Sequence, residues 1–148
     1  MSSYVQVLYQ ILFATKYRRP TLLRAGRPQL YRYIWGICQN RNCHLHEING
    51  IEDHTHLIIR VHPTIAIADL VKEFKVASSR YIKQHQLFPD FERWGIGYAA
   101  FSYAPGALPN LRRYVRNQER HHGREAPREE LVRMLKEQEV EFDARYLE

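Results

Sequence analysis

A chain of 148 residues is most simply one domain, 1–148, with room for a sheet and two or three packed helices. Its apolar share of 45% is that of an ordinary soluble protein, and no stretch approaches the roughly 18 consecutive apolar residues that a membrane span needs. The first residues lack the order of a signal peptide, and Cys38 and Cys43 match no disulfide framework or zinc spacing, so a reducing cytosol is expected.

The formal net charge is +6, and its distribution says more than its total. Between Arg112 and Arg124 five arginines stand against one acid, Glu119, and Lys16, Arg18 and Arg19 form a second cluster. Such clusters attract phosphate backbones and release counterions on binding; a solvated face of a basic protein is the alternative. The acids gather from Glu125 to Glu148, which sets the C-terminal tail apart from any path for DNA.

In chain order, Tyr4 to Phe13 alternates, with Val5, Val7, Tyr9, Ile11 and Phe13 on one side and Gln6 and Gln10 on the other, and predicts a strand. Pro28 suits the first turn of a helix in which Leu30, Ile34, Ile37 and Cys38 recur at helical spacing. His44 to Ile51 and His54 to Val61 predict two strands joined by a turn over Gly50–Asp53. A helix follows, capped near Thr64, with the stripe Ile67, Leu70, Val71, Phe74, Ala77 and Tyr81. After an irregular stretch, Tyr98 to Tyr103 predicts a fourth strand. A helix then runs from Pro105-Gly106 to about His122, and an amphipathic one starts near Pro127 with Leu131, Val132 and Leu135 inside. The order β-α-β-β-α-β predicts an α+β, ferredoxin-like antiparallel sheet with helices on one face, followed by C-terminal helices.

Strand side chains alternate, so Thr55, Leu57, Ile59 and Val61 form a core face while His54 and His56 project together from the other. Two such imidazoles can hold a divalent cation, with Asp53 orienting one of them. His44 and His46 repeat the spacing on a less clean strand. Tyr114 and Gln118 lie four apart, one above the other on a helix. The tyrosine is a candidate nucleophile that Arg113, Arg116 or the cation would activate, and the Gln118 amide oxygen would complete a His-His-Gln set. Tyr81, the rival nucleophile, continues the apolar stripe of its own helix.

Four segments then resemble, in order, the HUH single-tyrosine transposases of the smallest bacterial insertion sequences and their repeat-hairpin-associated relatives. They are Thr15-Lys16-Tyr17-Arg18-Arg19-Pro20; Asp53-His54-Thr55-His56-Leu57-Ile58; Trp94 through Gly97-Tyr98-Ala99-Ala100-Phe101-Ser102; and Tyr114-Val115-Arg116-Asn117-Gln118-Glu119-Arg120-His121-His122. The resemblance implies a ferredoxin-like fold, a homodimer with joined sheets, and a tyrosine helix that serves its own or the other subunit's histidine pair. It implies Tyr114 as nucleophile and His54, His56 and Gln118 as ligands of a divalent cation, Mg2+ or Mn2+. The implied substrate is single-stranded DNA carrying hairpins, cut through a 5′-phosphotyrosine link and rejoined. No nucleotide cofactor is expected, in keeping with the lack of a phosphate-binding glycine loop. Lys16, Arg18, Arg19, Arg113 and Arg116 are candidate DNA contacts. Thr55 departs from the family's hydrophobic residue between the histidines, and Pro109 means that the tyrosine helix starts there or kinks. A non-catalytic nucleic-acid-binding module and a water-using metal phosphoesterase are the alternative readings.

Overall fold

The alternation at the start of the chain becomes a paired strand only where neighbours flank it on both sides. β1 spans Leu8–Ala14, with β3 (His54–Arg60) on one flank and β4 (Ala99–Tyr103) on the other. The computed structural model describes residues 2–147, and Tyr4 and Val5, upstream of this pairing, are exposed. β2 (His44–Gly50) pairs with the outer side of β3, giving the order β2-β3-β1-β4 with every neighbouring pair antiparallel. α1 (Arg27–Asn40) joins β1 to β2 and α2 (Ile67–Gln84) joins β3 to β4. This is the expected ferredoxin-like β-α-β-β-α-β sheet.

The two faces of the sheet are covered by different helices. On the first, Ile11 and Phe13 of β1 and Leu57 and Ile59 of β3 pack with Leu30, Ile34 and Cys38 of α1 and Leu70, Val71 and Phe74 of α2. This is the core that the two helical stripes predict. Tyr81 belongs to this side, stacked on Tyr33 at 4.1 Å with its hydroxyl accepting from Gln29 at 2.7 Å.

The second face is not open to solvent. α3 (Leu108–Arg116) lays Leu111 and Val115 on Leu8 and Ile58, while α5 (Pro127–Glu137) lays Met134 and Leu135 on Leu12 and Phe101. Pro109 stands in the first turn of α3, where its missing N–H costs nothing, so it starts that helix rather than kinking it. The single helix expected up to His122 is interrupted: α3 ends at Arg116, Asn117 leaves helical geometry at ψ 21°, and a short α4 covers Gln118–His121. Within α5 the buried positions are Glu130, Met134 and Leu135, whereas Leu131 and Val132 are only half-buried. With both faces roofed, the side of β3 that bears the histidines is enclosed between the sheet and the C-terminal helices.

Candidate metal and tyrosine centre

His54 is 3% exposed and His56 is fully buried, so each ring must satisfy its nitrogens inside the protein. Their Nδ1 atoms are both committed. His54 Nδ1 lies 2.6 Å from Asp53 Oδ1, as expected for that carboxylate, and His56 Nδ1 lies 3.0 Å from Gln10 Oε1. An amide oxygen can only accept, so the Nδ1 atom of His56 carries a proton, which lets Nε2 offer its lone pair when a cation stands between it and Glu130. The first-strand glutamine, read from the sequence as merely polar, therefore sets the tautomer of a candidate ligand. Gln10 also donates to the Tyr103 hydroxyl at 3.1 Å, so both ends of its amide are engaged.

The two Nε2 atoms converge on groups from the C-terminal helices. Gln118 Oε1 lies 3.3 Å from His54 Nε2 and 2.9 Å from His122 Nε2. Glu130 Oε1 lies 3.5 Å from His54 Nε2, 3.0 Å from His56 Nε2 and 3.2 Å from His122 Nε2. His122 Nδ1 is held at 2.7 Å by the backbone oxygen of Glu125, so a third imidazole presents its Nε2 to the same point. His54, His56, His122 and Glu130 offer ligand atoms that all lie within 4.8 Å of one another.

Three imidazole nitrogens and a carboxylate, the rings held from behind by Asp53, Gln10 and a peptide oxygen, fit a divalent transition-metal cation: the imidazoles suit zinc and the oxygens suit manganese. Burial resists a charge on His54, but the Asp53 and Glu130 carboxylates outweigh it and raise its pKa. Burial prevails at His56, whose pKa is pushed down to about 4. Burial also opposes ionisation of Glu130, yet hydrogen bonds from the surrounding imidazoles overcome it and hold the carboxyl well below the usual range.

Tyr114 meets this cluster from its own chain. Its hydroxyl donates to Glu130 Oε2, the oxygen next to the one that faces the imidazoles, and its ring lies 6.0 Å from that of His56. Arg133 Nη2 approaches the same hydroxyl at 3.0 Å, and His121 Nε2 lies 3.4 Å away. Burial, reinforced by the Glu130 charge, raises the Tyr114 pKa, so the phenol keeps its proton in this arrangement while Arg133 pulls the other way.

The cation beside the phenol is thus Arg133 of α5, not one of the arginines expected from α3. Arg113 bonds to Asn110 at 3.1 Å, and Arg116 turns away to pair with Glu47 at 2.9 Å. Arg113 does line a basic cleft of about 370 Å3 beside Tyr114, with Asn117, Arg120 and Arg124. Lys16 and Arg19 both pair with Glu92, at 2.8 and 3.1 Å, on the turn after β1. That turn is tied to the centre through Thr15, whose N–H donates to the Asp53 oxygen at 2.9 Å. His44 and His46 lie on the outer strand β2 with their rings 4.4 Å apart, outside the candidate ligand group.

The structure brings together His54, His56, Tyr114, Gln118 and Asp53, and sets beside them Gln10, His122, Glu130 and Arg133, which the sequence pattern did not assign to the site. The acid-rich tail is also less remote than its charge implies, since Glu130 stands at the middle of the site. The readable signal for Glu130 was its place four residues before Met134, a carboxylate inside an apolar stripe.

The profile of the family described as "Transposase IS200 like" matches residues 3–118. The chain belongs to the IS200-like transposase family. The ISDra2 transposase TnpA of Deinococcus radiodurans is 22% identical to this transposase over 120 residues, 76% of this chain and 84% of that one. Among solved structures, one described as a transposase of Deinococcus radiodurans superposes with a TM-score of 0.63 at 24% identity, covering 80% of this chain and 95% of its own. A REP-associated tyrosine transposase bound to a REP hairpin superposes with a TM-score of 0.61 at 15% identity, covering 83% of this chain and 75% of its own. These likenesses establish a shared fold. The profile match ends at Gln118, so His121, His122, Glu130 and Arg133 lie beyond it.

Proposed function

We propose that this DNA transposase cuts single-stranded, hairpin-bearing DNA with Tyr114 as the nucleophile and a divalent cation held by His54, His56 and Gln118, with His122 and Glu130 contributing to the same site. The observation that carries this reading is the convergence of one phenol oxygen, three imidazole nitrogens, an amide oxygen and a carboxylate drawn from β3, α3, α4, α5 and the turn after α4. When bound, the cation supplies Lewis acidity toward a phosphate oxygen.

The protein's own residues account for the rest of the proposed step. The Tyr114 oxygen attacks phosphorus, Glu130 Oε2 relays the phenol proton toward the departing 3′ oxygen, and the bond from phosphorus to that oxygen breaks. The products are a 5′-phosphotyrosine and a strand that takes up a proton to end in a 3′ hydroxyl. That hydroxyl later attacks the phosphotyrosine in reverse and restores the phenol, so bond energy is conserved through both strand exchanges. Arg133, within hydrogen-bond distance of the phenol, stabilises charge that develops on the tyrosine oxygen. The arginines of the cleft beside Tyr114 would hold the flanking backbone. The hairpin in the superposed REP-associated structure, together with the basic surface here, supports DNA of that shape as substrate.

Mixing the protein with end-labelled, hairpin-bearing single-stranded DNA and Mn2+ and resolving the products on a denaturing gel tests the proposal. A covalent protein–DNA band that vanishes with Tyr114→Phe or with chelator is expected. Free cut product without the band would mark a water-using phosphoesterase, and binding without cutting would mark a non-catalytic module. Pairing of two copies is a separate proposal, read by sedimentation, because here Tyr114 reaches the imidazoles of its own chain.

A further inference from the structure

Two openings of different chemistry meet at the Tyr114–Glu130 pair. The first is the basic cleft beside Tyr114. The second is a cavity of about 540 Å3 whose lining reaches His54 and Glu130. Its other walls are largely apolar and aromatic: Ile96 and Tyr98 from the loop before β4, and Phe142 and Tyr146 from the segment after α5, with Arg18 at one edge. Ile96 is 93% exposed and Tyr146 78% exposed, so large apolar groups stand in water beside the reactive centre.

These walls are built rather than loose. Lys75 of α2 donates to the Gly95 oxygen at 3.0 Å and to that of Gly97, pinning the loop that carries Ile96 and Tyr98. Gly97 sits at φ 87°, a conformation that favours glycine. On the opposite edge, Tyr17 and Arg18 are consecutive non-glycine residues at φ 54° and 52°. Strain of this kind costs stability and persists where the surroundings over-determine it. Here Thr15 does so, bonding at once to the Asp53 oxygen at 2.9 Å and, through its hydroxyl, to the Arg19 oxygen at 2.7 Å. The turn that positions Arg18 is therefore fastened to the residue that orients His54.

We propose that this cavity receives one unpaired nucleobase of the strand whose phosphate lies at the Tyr114 centre, an inference that rests on the DNA-cutting reading above. A single strand presents anionic phosphates on one side and flat, mostly apolar faces on the other. The two openings offer the matching pair, arginines for the backbone and aromatic and aliphatic walls for the base. The volume lies within the roughly 300–1,000 Å3 of small-molecule sites, which accommodates one nucleoside but no duplex. A base held in a partner strand cannot enter, so the cavity would select an unpaired nucleotide flanking the cut. The aromatic face of the tail, rather than its acids, would then meet the DNA.

Fluorescence anisotropy in the presence of chelator, which prevents cutting, tests this with two probes: a labelled oligothymidylate and an abasic deoxyribose-phosphate chain of the same length. The wild type should bind the base-bearing probe about tenfold more tightly, the scale of stacking one base. Tyr146→Ala, on an exposed side chain, should remove most of that preference and leave abasic binding unchanged. Ala99→Phe, which fills the cavity from β4, should do the same. A preference that survives Tyr146→Ala overturns the proposal, and that variant decides alone if melting shows Ala99→Phe to be misfolded. The DNA-cutting reading fails separately, as a missing covalent band with Mn2+ in the wild type, whatever the two probes show.

Discussion

Thr55 and His56 are neighbours in β3 with opposite fates on burial. His56 has a partner on each ring nitrogen, whereas the Thr55 hydroxyl is buried on the core face without one among the described residues. Thr55→Val keeps the shape and removes the stranded hydroxyl, so it should raise stability by about 1 kcal/mol without weakening DNA cutting. Urea denaturation reads the first effect and the covalent band the second. Gln10→Leu is the converse case. It leaves the His56 Nδ1 proton without an acceptor and frees the ring, and should weaken Mn2+ binding roughly 10–100-fold at little cost to the fold, as measured by titration calorimetry. Unchanged affinity would show that Gln10 does not orient the ligand. Both positions were visible in the strand alternation: Thr55 fell on the core side and Gln10 on the histidine side. What the alternation cannot express is whether the second side faces water or a roof of helices, and that alone converts Gln10 from a solvated amide into an orienting one.

At the scale of elements, α5 supplies what the β3 histidines and the α3 tyrosine share. Glu130 touches both groups, so Glu130→Gln, which keeps size and hydrogen bonding but removes the charge, should lower Mn2+ affinity roughly tenfold or more while α5 stays folded. Calorimetry paired with circular dichroism separates those effects. The β2–β3 turn constrains the site from the other end. A Cβ on Gly50 would stand 2.1 Å from the His54 oxygen, a clash with backbone that no rotamer relieves. Gly50→Ala should therefore cost about 1–3 kcal/mol in thermal or urea unfolding, the range of an overpacked core, and should displace His54 as well. Most elements were legible because their periods were clean, and the turn chemistry of Gly50–Asp53 marked the hairpin. The break at Asn117 was not, since no proline or glycine announces it. Glu130 was missed for a related reason: a helical period places it inward, but only the fold reveals that three imidazoles wait there.

Over the whole molecule, excess positive charge matters where it is gathered. Arg113, Arg120 and Arg124 share the cleft beside Tyr114, whereas Lys16, Arg19 and Arg116 are already engaged by acids. Binding to single-stranded DNA should weaken with salt, and Arg120→Ala should reduce the slope of log affinity against log salt by about 0.7, the value for one phosphate contact on a single strand. Arg116→Ala should change that slope less, because its guanidinium is partly neutralised by Glu47. An anisotropy series across salt concentrations distinguishes them.

Gln10 stands in the first strand and Glu130 in the last long helix, and the proposed centre needs both. During synthesis every residue between them must leave the ribosome before these groups can meet. A product that stops short of α5 would therefore carry Tyr114, His54 and His56 but lack the carboxylate that bridges them in the proposed centre.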